Sequence, residues 1–310
     1  MNDSLSNQNY EYSSDEIDLW ELINVIFKGK WIIVSITIIA SIFVVLYSLS
    51  LPNIYQSNAI LVPVESSDSI SSNGSYSALA SLAGINLPTQ SSESNSVKAL
   101  EKLNTLSFFE NNVLPNIFLP DLMALESYDF ELNLLSYNQD IYDIENNAWI
   151  RDFSPPQKQI PTSQESFLVF KDHMTITENK KTGFVTLVIK HQSPFIAKKW
   201  AEILIDQINS YYREKDKMEA EKAVTYLNNQ IIRTSFTEIK QVIAGLLQQE
   251  TQKLTLIEAN ESYVFDYIDP PAAMERKSSP IRSLICIIGA FVGGMIGLLI
   301  VLIRHYVFRE

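Results

Sequence analysis

The side chains of this 310-residue chain that could do chemistry are few and scattered. Its three histidines, His173, His191 and His305, stand far apart, and none has a second ligand at the close spacing a zinc site uses. The single cysteine, Cys286, lies inside an apolar run, so no intrachain disulfide can form. No glycine-framed phosphate loop ending in lysine is present to hold a nucleotide. Serines are abundant, but they crowd a linker, and none is framed as a nucleophile elbow. Asp206 and Asp216 sit among charged neighbours at helical spacing, the pattern of a solvated helix face. These residue types predict a protein that is not an enzyme and that carries no cofactor and no metal.

The sharper signal is glycine. Of nine in the chain, four fall in the stretch GAFVGGMIG: Gly289, Gly293, Gly294 and Gly297. A glycine costs a helix about 1 kcal/mol relative to alanine, so a helical run that spends this many needs a compensating gain. Between lipid tails no hydrophobic force drives helices together, and close backbone approach through small residues does so instead. Gly289, Gly293 and Gly297, four apart, line one face and predict a packing seam. The partner could be the other apolar helix of the chain, the same segment of another subunit, or a different membrane protein.

Two runs are long enough to cross a hydrocarbon core of about 30 Å. Residues 31–51 and 283–303 are each free of charge, and both are expected to be transmembrane helices. The first is not expected to be a cleaved leader, because six acids occupy the first 30 residues and Leu51-Pro52 is no cleavage site. Lys28 and Lys30 ahead of the first run, and Arg304 and Arg309 after the second, predict cytoplasmic termini under the positive-inside rule. That order makes 1–30 a cytoplasmic segment, 52–282 a periplasmic domain and 304–310 a cytoplasmic tail. The 52–282 segment carries 20 basic and 29 acidic residues. Such a balance excludes nucleic acid as a partner and gives no electrostatic grip on anionic lipid.

The intervening elements follow from periodicity and punctuation. Ser13 and Glu16 form a capping box for a short amphipathic helix through Phe27. Residues 53–64 alternate as a strand, and 66–96 are a serine-rich linker with one short helical turn. Val97–Leu114 reads as a helix stopped by Pro115. The stretch 115–162, acidic, aromatic and punctuated by proline, yields no assignment. Residues 163–174 read as a short helix with Ser163 or Ser166 as its cap, and 174–191 as a hairpin around Asn179–Gly183. Long helices are expected at about 194–233 and 236–260, the second opened by a capping box of Ser235 and Glu238, and a strand at 262–269. The two strands that abut the apolar runs can pair with the hairpin. The fold expected is therefore α+β: a membrane-proximal mixed sheet with helices and a long protruding helical arm, anchored by two transmembrane helices.

The order of these features resembles the polysaccharide chain-length determinants, the Wzz-type polysaccharide co-polymerases. DEIDLWELINVIFKGKW is similar to their approach to the first span, ASLAGINLP to a loop segment, and ENKKTGFVTLVIKHQSP to their hairpin and helix start. YIDPPAAMERKSSPIR followed by GGMIG is similar to their proline-rich approach and glycine-rich second span. Pro271, Ser279, Pro280, Gly289, Gly293, Gly294, Met295 and Gly297 fall on that pattern. Met274 stands where a second proline is usual, and Ile281 intervenes before Arg282. The chain ends at Glu310 without the nucleotide-binding domain of kinase-bearing relatives, so it resembles the kinase-less branch of Gram-negative inner membranes. The resemblance implies a homo-oligomer that acts with the polymerase of undecaprenyl-linked repeat units. It would set the modal length of O-antigen or a related surface glycan in lipopolysaccharide biosynthesis. Two other readings are a scaffold for polysaccharide export and a two-span periplasmic ligand sensor.

Overall fold

A computed structural model describes residues 19–64 and 95–307. The Ser13–Glu16 box, the serine-rich run and ASLAGINLP lie outside the described residues. Along the chain come α1 (Leu19–Lys28), α2 (Lys30–Ser50), β1 (Tyr55–Pro63), α3 (Asn95–Leu103), α4 (Leu119–Met123), β2 (Leu125–Asp129) and β3 (Leu134–Tyr137). Then follow β4 (Tyr142–Asp143), β5 (Ala148–Trp149), α5 (Ser163–His173), β6 (Met174–Glu178), β7 (Val185–His191), α6 (Pro194–Arg233), α7 (Thr237–Ala259), β8 (Phe265–Asp269) and α8 (Arg282–Val307). Two compact units result: residues 53–278 form one, and the apolar helices with α1 form the other.

In the larger unit four strands pair in the order β6-β7-β1-β8. The hairpin and the two strands flanking the apolar runs do make one sheet, but every pair in it is antiparallel. The mixed sheet expected from the sequence is therefore corrected. β1 and β8 carry the chain away from one apolar helix and back to the other, the tight turn makes β6 and β7 antiparallel, and β7 joins β1 in the antiparallel sense as well. Alternation on β1 sends Tyr55, Ser57, Ala59 and Leu61 inward. They meet Val185, Leu187 and Ile189 of β7, and α6 closes this face with Trp200, Leu204 and Ile208. Gly183, with φ of +72°, completes the β6–β7 turn in a conformation other residues rarely adopt.

α6 runs unbroken for 40 residues, about 60 Å at 1.5 Å per residue. Pro194 fits its first turn, and no glycine or proline interrupts it. Its N-terminal half is buried on the sheet; its buried residues end at Ala220, and α7 packs along it. The two halves are joined to their surroundings by polar pins. Asn209 accepts the Val264 and Phe265 N–H groups at 2.8 and 2.9 Å and donates to the Phe265 carbonyl at 2.9 Å. Asp216 accepts from the Tyr263 hydroxyl at 2.6 Å and Asn95 Nδ2 at 3.3 Å. These bonds add to strand pairing in fixing the start of β8.

Three local expectations change. The helix expected at 97–114 breaks at Thr105, whose hydroxyl donates to the Lys102 carbonyl at 2.7 Å and caps the next turn through the Phe108 N–H. Asn104 likewise donates to Leu100 O, so two polar side chains compete with the helix for its backbone. Pro115 sits within a tight turn, Leu114–Asn116, that continues past it. The cap of α5 is Thr162, bonded to the Glu165 N–H, in place of Ser163 or Ser166. At α7 the cap position is Phe236 and makes no side-chain bond, so Ser235 and Glu238 form no box. The unassigned 115–162 segment is a short helix and two small hairpins. An aromatic chain of Phe118, Tyr137, Tyr142 and Trp149 holds them together, and Arg151 clamps Glu165 with the carbonyls of Lys158 and Gln159.

Candidate functional site: the glycine seam

α2 and α8 are the two described helices long and apolar enough to cross a membrane. They pack against each other, and the three predicted glycines face the contact. A Cβ on Gly289 would lie 2.5 Å from both γ-carbons of Val44. On Gly293 it would lie 2.6 Å from Ala40 Cβ and 3.4 Å from Thr37 Cα. On Gly297 it would meet backbone, Ile33 Cα at 3.0 Å and Ile33 O at 3.2 Å. Of the three partners left open by the sequence, the structure supplies the chain's own first apolar helix.

The seam is reciprocal, which the sequence reading missed. Gly29, between α1 and α2, receives Val301, whose Cγ2 would lie 2.7 Å from an added Cβ. Small residues thus sit on both helices: Gly29 and Ala40 on one side, Gly289, Gly293 and Gly297 on the other. The signal was present, since Gly29 lies between Lys28 and Lys30 at the head of the first apolar run, but a lone glycine there reads as a helix break. Gly294 is at the edge, with only Thr37 Oγ1 within reach at 3.7 Å. Met295 faces away from the seam and is 53 % exposed. Ser279 and Pro280 belong to the connection ahead of α8, joined by a cis peptide bond. Pro271 is buried in the larger unit, so it does not join the glycines.

The hydroxyls of Thr37 and Ser41 on α2 bond back to carbonyls of their own helix, while Ser48 Oγ is buried without a partner among the described residues. Thr37 donates to Ile33 O at 2.8 Å, and Ser41 to Thr37 O at 2.7 Å. Arg282 closes the open end: its Nε and Nη2 donate to the carbonyls of Ser48 and Leu51 at 3.2 and 3.3 Å. A cation there satisfies carbonyls that the end of α2 leaves unpaired and complements its dipole. In the sequence Arg282 stands out only as the basic residue after Ile281.

The larger unit gathers titratable groups that look scattered in the sequence. His173 and His191 come together with ring centroids 5.9 Å apart, both against Trp200. The Ser193 N–H can only donate, so His191 Nδ1 accepts it at 3.0 Å, and Nε2 carries the proton donated to the Asp121 carbonyl at 3.1 Å. With both nitrogens engaged, this imidazole offers no lone pair to a metal. Burial lowers its pKa from 6.5 to about 4. Burial also raises the Asp121 carboxyl, which accepts a 2.6 Å bond from the Tyr137 hydroxyl and feels the Lys199 charge. Asp206 is raised by burial and by Glu202. Among the described residues no three His, Cys, Asp or Glu side chains gather closely enough to hold a metal ion.

Residues 15–106 match the family model of the Wzz chain length determinant proteins. The resemblance read from the sequence is to this same family, and the matched segment runs through α1, α2 and β1 into the turn after α3. No curated protein matches the chain. Similar solved structures, at low identity, include the following two. A full-length bacterial polysaccharide co-polymerase is 15 % identical, with 94 % of this chain and 98 % of that one covered and a TM-score of 0.40. A fragment of WzzB, a polysaccharide co-polymerase from Salmonella Typhimurium, is 14 % identical, with 73 % and 100 % covered and a TM-score of 0.32.

Proposed function

We propose that the chain is a non-enzymatic scaffold of the Gram-negative inner membrane that sets the modal chain length of O-antigen or a related surface polysaccharide. Both termini are cytoplasmic in this reading, and the unit of residues 53–278 is periplasmic. Identical subunits assemble with the polysaccharide polymerase and the undecaprenyl-linked growing glycan, so that scaffold geometry biases when elongation stops. The observation that carries the reading is the match of residues 15–106 to the chain length determinant model, in a chain whose two apolar helices bracket an α+β unit.

The apolar surface outside the seam supports membrane anchorage. Large side chains such as Ile38, Phe43, Ile288 and Phe291 are more than half exposed, and a contiguous apolar surface of this kind suits lipid and not water. The seam then serves to hold the two anchors as one body. Deleting the gene is expected to replace a modal cluster in the surface-glycan ladder with a broad, unclustered distribution on a gel. An unchanged ladder would refute the role in length control. Glycan retained inside the cell and missing from the surface would favour export instead.

A further inference from the structure

The β2–β3 hairpin ends in Phe130-Glu131-Leu132-Asn133, and its large apolar side chains are turned outward. Leu132 is 67 % exposed, Leu134 57 % and Phe130 47 %. Hairpin turns are ordinarily polar. This one is nevertheless firmly built: Asp129 Oδ1 accepts the N–H groups of Glu131 and Leu132 at 2.8 and 3.1 Å. Asn133, at φ of +51°, accepts the Tyr128 hydroxyl at 2.8 Å. The turn thus satisfies backbone donors within itself, which a segment entering lipid must do.

Its position narrows what the apolar tip can meet. The Phe130 ring stacks on Tyr55 at 5.5 Å, and Tyr128 meets Tyr55 edge-on at 6.5 Å. Tyr55 opens β1 five residues after α2 ends, and five extended residues reach at most about 18 Å. At the same corner Ser278 donates to the Ile54 carbonyl at 2.8 Å and Lys277 to Asn53 Oδ1 at 3.1 Å. Both connections to the apolar helices therefore leave the larger unit beside this hairpin.

We propose that the Phe130–Leu134 turn is an interfacial foot, inserting its apolar side chains at the headgroup–acyl boundary of the bilayer that α2 and α8 cross. The inference rests on the reading of those helices as membrane spans. Asp129 and Glu131 beside the tip direct it to zwitterionic rather than anionic lipid. The foot would fix the tilt of the domain against the membrane.

The test uses the full chain with Cys286→Ala and one new cysteine, Leu132→Cys, Ile288→Cys or Ile232→Cys. Each carries an environment-sensitive fluorophore and is reconstituted in phosphatidylcholine vesicles with spin-labelled lipid. Position 288 reports the span, and position 232 an exposed apolar residue near the end of α6. The expected result is a blue shift and lipid quenching at 132 several-fold greater than at 232, with quenching at 288. If 288 is unquenched, the span reading fails and takes the foot with it. If 288 is quenched but 132 behaves as 232 does, or is blue-shifted without quenching as in burial against protein, the foot alone is overturned.

Discussion

At the scale of residues, the seam makes neighbouring glycines unequal. Gly293→Ala must displace Ala40 Cβ, which has no rotamer to yield, whereas Gly294→Ala meets nothing closer than 3.7 Å. Overpacking costs about 1–3 kcal/mol, while alanine gains about 1 kcal/mol of helix propensity. Gly293→Ala is therefore expected to lower the melting temperature of the detergent-solubilised protein and Gly294→Ala to leave it unchanged or raise it. Equal effects would mean that the seam does not hold the helices together. His191 carries a second prediction. Its folded pKa, about 4, lies below the unfolded 6.5, so the unfolded chain binds the proton first as pH falls. Stability is whole above pH 6.5 and declines towards pH 4, by about 3 kcal/mol in all. Protonation at Nδ1 also removes the acceptor of the Ser193 N–H at the head of α6. His191→Gln should flatten the dependence of melting temperature on pH through that window, and an unaltered slope would assign the acid sensitivity elsewhere.

At the scale of elements, the long helix is two helices in one by environment. From Pro194 to Tyr212 its burial pattern is that of a core helix; farther along, α7 packs against it, with the largely exposed Lys217–Glu258 ion pair at 3.0 Å contributing little. The join between α6 and β8 depends on Asn209. Asn209→Leu leaves two N–H groups and a carbonyl of β8 without their side-chain partner, and a buried unsatisfied group costs about 1–3 kcal/mol. The expected outcome is a clear loss of stability by chemical denaturation, with faster protease cleavage near Val264. Cleavage and stability matching wild type would show that strand pairing alone holds β8.

At the scale of the whole molecule, its parts divide the labour. A pair of apolar helices packed through small residues makes one unit, and an antiparallel sheet with a 40-residue helix makes the core of the other. If the proposed function holds, loss of the chain is expected to alter the distribution of glycan lengths, which a gel ladder reads directly.

The apolar runs, the hairpin and the bounds of the long helix could be read from the chain because each depends on local periodicity and punctuation. Pro194 opens α6, and an absence of breakers carries it to Arg233. Gly289, Gly293 and Gly297 were legible as a face for the same reason. What faced them was not: Val44, Ala40, Ile33 and the reciprocal Gly29–Val301 contact join residues more than 240 positions apart. The meeting of His173, His191 and Asp121, the capture of α2's end by Arg282 and the all-antiparallel sheet are likewise decided only when distant segments close on one another. A sequence states which faces are small, apolar or polar; which face meets which is set by packing, and packing is a property of the folded chain.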